Sequence, residues 1–177
     1  MTIRFDKFTQ KSQEVIQKSF ELAIEYGHQQ IDADHLTLAL IQVEGGIIPS
    51  FLERFNISSS DLVDKIDEEL KKKPKVEGGS QPTFTQYANK SLVEAQKIAE
   101  KMKDDYVSQE HILLALFRDK NTIVSKEFQV NGFQEQNILD VLQEMRGGQK
   151  VDNPNPEDKY QALEKYGRDL TALAQEG

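Results

Sequence analysis

Apolar residues recur along this chain at helical spacing, and they do so twice in the same order. Val15, Ile16, Phe20, Ala23 and Ile24 mark one face of a helix that Thr9 can cap and Gly27 can end. Asp32 is the next candidate cap, ahead of Leu36, Leu38, Ala39, Leu40 and Ile41. That run is apolar nearly all round, so the second helix is expected at the buried centre of its unit. Gly45 and Gly46 break it, and Pro49 suits the first turn of a short third helix with Phe51, Leu52 and Phe55. Ser59 or Ser60 then caps a fourth helix that turns Leu62, Val63, Ile66 and Leu70 inward. Asp61 and Asp64 stand near its start and Lys71, Lys72 and Lys73 at its end, the order that complements the helix dipole.

Shifted by 76 residues, the pattern repeats, with 8 identities across the 34 positions 8–41. Phe8, Thr9 and Gln10 meet Phe84, Thr85 and Gln86; His35 meets His111; Leu38, Ala39 and Leu40 meet Leu114, Ala115 and Leu116. Ser50 and Asn56 meet Ser125 and Asn131 at offset 75, which reads as a one-residue difference in a loop. The second unit is expected to place helices at about 85–103, 109–118, 122–130 and 134–146, stopped by Gly147 and Gly148. No segment alternates apolar and polar residues long enough for a convincing strand. The connector 73–82 (KPKVEGGSQP) holds two Pro and two Gly and reads as a loop. Segment 149–156 (QKVDNPNP) reads as a linker that buries little. Beyond it, Tyr160, Leu163, Tyr166, Leu170 and Leu173 form an amphipathic stripe that Gly167 interrupts. The expected fold is therefore all-α: two pseudo-symmetric four-helix repeats at about 8–73 and 84–148, packed together within residues 1–148, followed by a linker and helical tail at 149–177.

Composition narrows the chemistry. Lys plus Arg is 22 and Asp plus Glu is 30, so the 177 residues carry a net charge of −8. So acidic a surface disfavours nucleic-acid backbones. There is no cysteine, which excludes disulfides, thiol catalysis and thiolate metal sites. No run of about 18 apolar residues is present, and the start MTIRFDKFTQ does not read as a secretory signal. No Gly is followed directly by Lys, as a phosphate-binding loop requires, and no G-x-S-x-G elbow or H-E-x-x-H pair occurs. His35 and His111 each stand three residues after a cap, Asp32 or Ser108, where an imidazole can reach back like the Glu of a capping box. No catalytic or metal-binding residue is expected.

The doubled Phe-Thr-Gln…His-x-x-Leu-Ala-Leu unit resembles the Clp N-terminal repeat. Segments 76–82 (VEGGSQP), 144–148 (EMRGG) and 157–174 (EDKYQALEKYGRDLTALA) make the chain similar, over essentially its whole length, to the N-terminal domain of ClpB-type protein disaggregases. That resemblance implies a cytoplasmic, stress-response chaperone of the AAA+ class, hexameric when full-length, whose ATP and Mg belong to other modules. This chain would hold no cofactor and would not be an enzyme by itself. It would be a monomer engaging unfolded or aggregated polypeptide, with adaptor proteins as further partners and a DnaK-type chaperone acting through other parts. Alternatives are an adaptor-docking domain of a protease-linked ClpC- or ClpA-type ATPase, or a structural spacer. A self-contained helical enzyme is a further class, against which the missing motifs stand. The family's substrate-handling Thr, Asp and Glu fall on Thr9, Asp104 and Glu110, each of which also has a structural reading as a cap or first-turn acid. Phe5, Phe8, Phe84 and Tyr87 are the apolar candidates for a seam between the repeats, with plain core packing as their other reading.

Overall fold

The computed structural model describes residues 2–158 and Tyr160. After a 3-10 turn at Phe5–Lys7 come α1 (Gln10–Tyr26), α2 (Ala33–Gln42), α3 (Ile48–Glu53) and α4 (Ser59–Lys71). The second repeat supplies α5 (Gln86–Lys101), α6 (Gln109–Arg118), α7 (Ile123–Val130) and α8 (Glu135–Arg146). The all-α architecture of two four-helix repeats is thus observed. Helix α1 packs on α2 and α5 on α6, while α2 meets both α5 and α6 across the repeat boundary. Residues 35–41 of α2 and 109–116 of α6 are all buried, the polar His35, Thr37, Gln109, Glu110 and His111 among them. One continuous core runs through both repeats, from Phe8 and Val15 to Leu142 and Met145. Truncating a central residue such as Leu36 or Leu114 to Ala would cost about 2–5 kcal/mol.

The caps follow the chemistry of the sequence. The Thr9 and Thr85 hydroxyls accept from Ser12 N and Ala88 N at 3.1 Å each. Both histidines close capping boxes: Asp32 N donates to His35 Nδ1 and Ser108 N to His111 Nδ1, each at 2.9 Å. The cap of α4 is Ser58 rather than Ser59 or Ser60; its hydroxyl accepts from Asp61 N.

Two further expectations are corrected. The offset does not slip to 75. Ser58 and Gln134 are equivalent caps, and buried Leu62 and Ile66 match Ile138 and Leu142, all 76 apart. Asn56 answers Gly132 instead of Asn131, because those two share the left-handed backbone that ends the third helix of each repeat (φ 56° and 80°). Short parallel pairings also tie the repeats together. β1 (Gln30–Ile31) pairs with β2 (Thr83–Phe84), and Phe8 bridges Val107. These are one contact made twice, since Phe8 is the counterpart of Phe84 and Ile31 that of Val107. Two residues are too few to show a strand period.

The segment after α8 is not a low-burial connector. Val151 and Glu157 are fully buried, and Tyr160 is 1% exposed. Asp105 N donates to Val151 O and Gln10 N to Pro154 O, both at 2.8 Å, strapping the segment to the second repeat and to the start of the first. The rest of the amphipathic stripe, Leu163 through Leu173 with Gly167, lies outside the described residues.

Candidate functional site

The paired repeat starts bring aromatic rings together at the surface. Phe5 lies 5.3 Å from Phe8 and 6.4 Å from Phe84 between ring centroids, and Phe20 on α1 meets Phe84 edge-on at 5.3 Å. Phe8 is 1% exposed and belongs to the core beneath, whereas Phe5 is 38% exposed and Phe84 half-buried. Beside this ladder runs a shallow groove of about 430 Å³, lined by Phe5, Asp6, Gln13, Ile16, Gln17 and Phe20. Its floor is apolar and its edges polar, the composition expected of a weak peptide-contact surface. Tyr87, 65% exposed at the start of α5, opens onto a different groove with Lys90, Ser91 and Glu94. Of the four aromatic candidates, two therefore share the seam surface, one supports it from below and one stands apart.

Thr9, Asp104 and Glu110 are brought together elsewhere, and all are buried. Asp104 Oδ2 accepts from His111 Nε2 at 2.8 Å and from Arg146 Nη1 at 3.0 Å, while Oδ1 accepts from the Val151 amide at 3.0 Å. Burial opposes the charge on Asp104, but the His111 and Val151 hydrogen bonds and the Arg146 guanidinium outweigh it and hold the carboxyl at about 2. Glu110 Oε1 accepts from Arg146 Nε at 3.1 Å and Nη2 at 2.6 Å. Full burial works against Glu110 too, and Arg146 again keeps it below the usual carboxylate range. Arg146 lies over the Tyr160 ring, 5.9 Å from its centroid. Thr9 donates at 2.7 Å to Glu157, which the Gln109 amide also approaches at 3.4 Å. Burial first, and then the Glu110 charge, push Glu157 up to about 7.

These polar atoms turn toward one another and toward the strap, so the cluster is built to hold structure. Asp104 also borders an open groove of about 470 Å³, with Arg4, Lys7, Gln96 and Tyr106. Among the described residues no group of His, Asp and Glu is arranged to hold a metal ion, and no helix is long and apolar enough to cross a membrane. Two members escaped sequence reasoning. Arg146 could have been found, because the offset of 76 sets it on Leu70, a charge over a core leucine. Glu157 carried no such signal, since nothing in a Pro-rich segment distinguishes a buried acid from a solvated one.

The Clp repeat N-terminal domain model matches residues 7–130. The chain belongs to that family. It is 39% identical over 176 residues to the chaperone protein ClpB of Nitratidesulfovibrio vulgaris, and 40% over 169 residues to that of Clostridium tetani. These alignments cover 97% and 93% of this chain, but the chain spans only about 20% of the length of either relative. Among solved structures it resembles the Hsp104 N-terminal domain of Candida albicans, with a TM-score of 0.72 and 26% identity over 85% of this chain and 99% of that one. It also shares its fold with a ClpV N-domain in complex with a VipB peptide, at a TM-score of 0.63 and 16% identity over 78% of this chain and 86% of the other. The fold is that of the N-domains of ClpB- and Hsp104-type chaperones.

Proposed function

We propose that this domain is the substrate-engaging part of a ClpB-type disaggregase. It binds unfolded or aggregated polypeptide before an ATP-driven, DnaK-assisted machine pulls the chain apart. The observation that carries this reading is the half-exposed Phe5–Phe84–Phe20 ladder beside its groove. Partly solvated rings reward any apolar segment that covers them, at about 25 cal/mol per Å², without demanding a sequence. A net charge of −8 favours segments with basic flanks. The complex of a ClpV N-domain with a VipB peptide supports the same mode of use, because that N-domain shares this fold.

Binding is expected to be weak, about 10–1000 µM, with avidity in an assembled ring supplying the rest. Calorimetric titration with a permanently unfolded polypeptide tests it. The Phe5→Ser, Phe20→Ser double variant should weaken binding at least tenfold while the thermal midpoint shifts little. Unchanged affinity in that variant, or no binding by the parent at millimolar concentration, would sink the reading.

A further inference from the structure

Three carboxyl groups, Asp104, Glu110 and Glu157, share one buried space with a single guanidinium, Arg146, and with His111. Arg146 is fully engaged: Nη1 goes to Asp104, and Nε and Nη2 go to Glu110. Among the described residues no cation touches Glu157. One of its oxygens accepts from the Thr9 hydroxyl and the Gln109 amide, and Oε2 is buried without a partner. Around it are Thr9 at the start of α1, Gln109 and Glu110 on α6, and Tyr160 one helical turn along, whose hydroxyl is also unpartnered and whose ring Arg146 of α8 overlies. An unpaired carboxylate buried in this way costs several kcal/mol, whereas the neutral acid costs far less.

We propose that residues 151–158 form a releasable strap with Glu157 as its catch, seated when that carboxyl is neutral and loosened when it ionises. The reading is independent of peptide binding at the aromatic ladder. Thr9, Asp104 and Glu110 then act as positioning residues for the strap: Thr9 grips the catch, Asp104 takes the Val151 amide, and Glu110 sets the charge that the catch must avoid. The first repeat holds its own trailing segment by other means. There Val76 N donates to Gly27 O and Thr83 N to Gln29 O, with the Asp32–Thr85 and Asp32–Lys73 contacts beside them, and no buried acid lies on that connector.

The direction of the pH response follows from linkage. A released Glu157 titrates at its ordinary value of 4.5, and the seated one at about 7. Seating is therefore strongest below pH 4.5, weakens by up to tenfold per unit as pH rises, and levels off above 7, a fall of roughly 300-fold in all.

Hydrogen exchange reads this directly through three amides that the strap protects, Gln10, Asp105 and Val151. Corrected for intrinsic rates, their protection should fall as pH rises from 5 to 7, while that of Val43, bonded within the first repeat, does not fall. Glu157→Gln should abolish the pH dependence and keep the strap seated at pH 8. Equal protection of the three amides at pH 5 and 8, or an unchanged pH profile in Glu157→Gln, overturns the proposal. A carboxyl-carbon NMR titration of the unmodified chain needs no variant. A Glu157 midpoint near 7 supports the strap, and one near 4.5 with the three amides protected refutes it.

Discussion

Positions 28, 34, 35 and 70 of the first repeat and 104, 110, 111 and 146 of the second stand 76 residues apart on matching backbone, yet they use opposite physics. In the first, His28 Nδ1 and His35 Nε2 face each other at 2.8 Å under fully buried Leu70. In the second, Asp104 takes the place of His28 at the same 2.8 Å from His111, and Arg146 takes the place of Leu70. One arrangement is neutral, while the other is ionic and reaches out to Val151, Glu157 and Tyr160. A shared helix plan thus tolerates either solution, a facing imidazole pair or a carboxylate held between His111 and Arg146. The ionic version is the one that anchors a further piece of chain.

The largest effect is expected from forcing the second repeat toward the first. Arg146→Leu alone leaves Asp104 and Glu110 buried without their cation and should cost about 3–5 kcal/mol in urea unfolding. Adding Asp104→His and Glu110→Gln rebuilds a neutral pair and should recover more than half of that loss. No recovery would mean that the two sites are not interchangeable.

Acid separates the repeats next. Burial first, then the neighbouring His28 and Lys73, push His35 down to about 4 from an ordinary 6.5. A depressed folded value means that the unfolded chain takes up the proton first. Stability is therefore full above pH 6.5 and drains away as pH falls toward 4, by up to about 3 kcal/mol. Asp104, held at about 2, adds its loss only below about pH 4. Urea midpoints of the Glu157→Gln variant, which lacks the opposing titration of that carboxyl, should accordingly show a first decline between pH 6.5 and 4 and a second, steeper one beneath it. A flat profile from pH 7 to 4.5 would remove the neutral histidine pair from the comparison.

The caps give a smaller contrast. Thr9→Ala and Thr85→Ala should each cost about 1 kcal/mol as lost caps. Only Thr9→Ala should lower the exchange protection of the Gln10 and Asp105 amides, because Thr9 also holds Glu157, whereas Thr85 donates to Asp32 at 3.1 Å. Smallest is the backbone at the end of the first helix of each repeat. Gly27 and Lys103 are equivalent and both left-handed, at φ 75° and 60°. Lys103→Gly should therefore stabilise by roughly 0.5–1 kcal/mol, and Gly27→Ala should cost about as much in a thermal melt.

The repeat, its helices and its capping histidines were legible because they rest on local spacing, which one chain displays in full. Phe5, Phe8 and Phe84 could be nominated from the sequence, but which rings stay exposed depends on the Phe8–Val107 and Ile31–Phe84 pairings between repeats. The strap was hidden for a related reason. Its composition is that of a linker, and its burial comes from Arg146, Thr9 and Gln109, far away in sequence. Only their meeting in space shows that an acid there needs no solvent.

The division of labour between the two surfaces is tested most directly by NMR shift mapping during titration with an unfolded polypeptide at pH 7. Perturbations centred on Phe5, Ile16, Phe20 and Phe84, with Asp104, Glu110 and Arg146 unmoved, are the expected result. Perturbations centred on the Arg146 cluster, with the aromatic ladder silent, would contradict it.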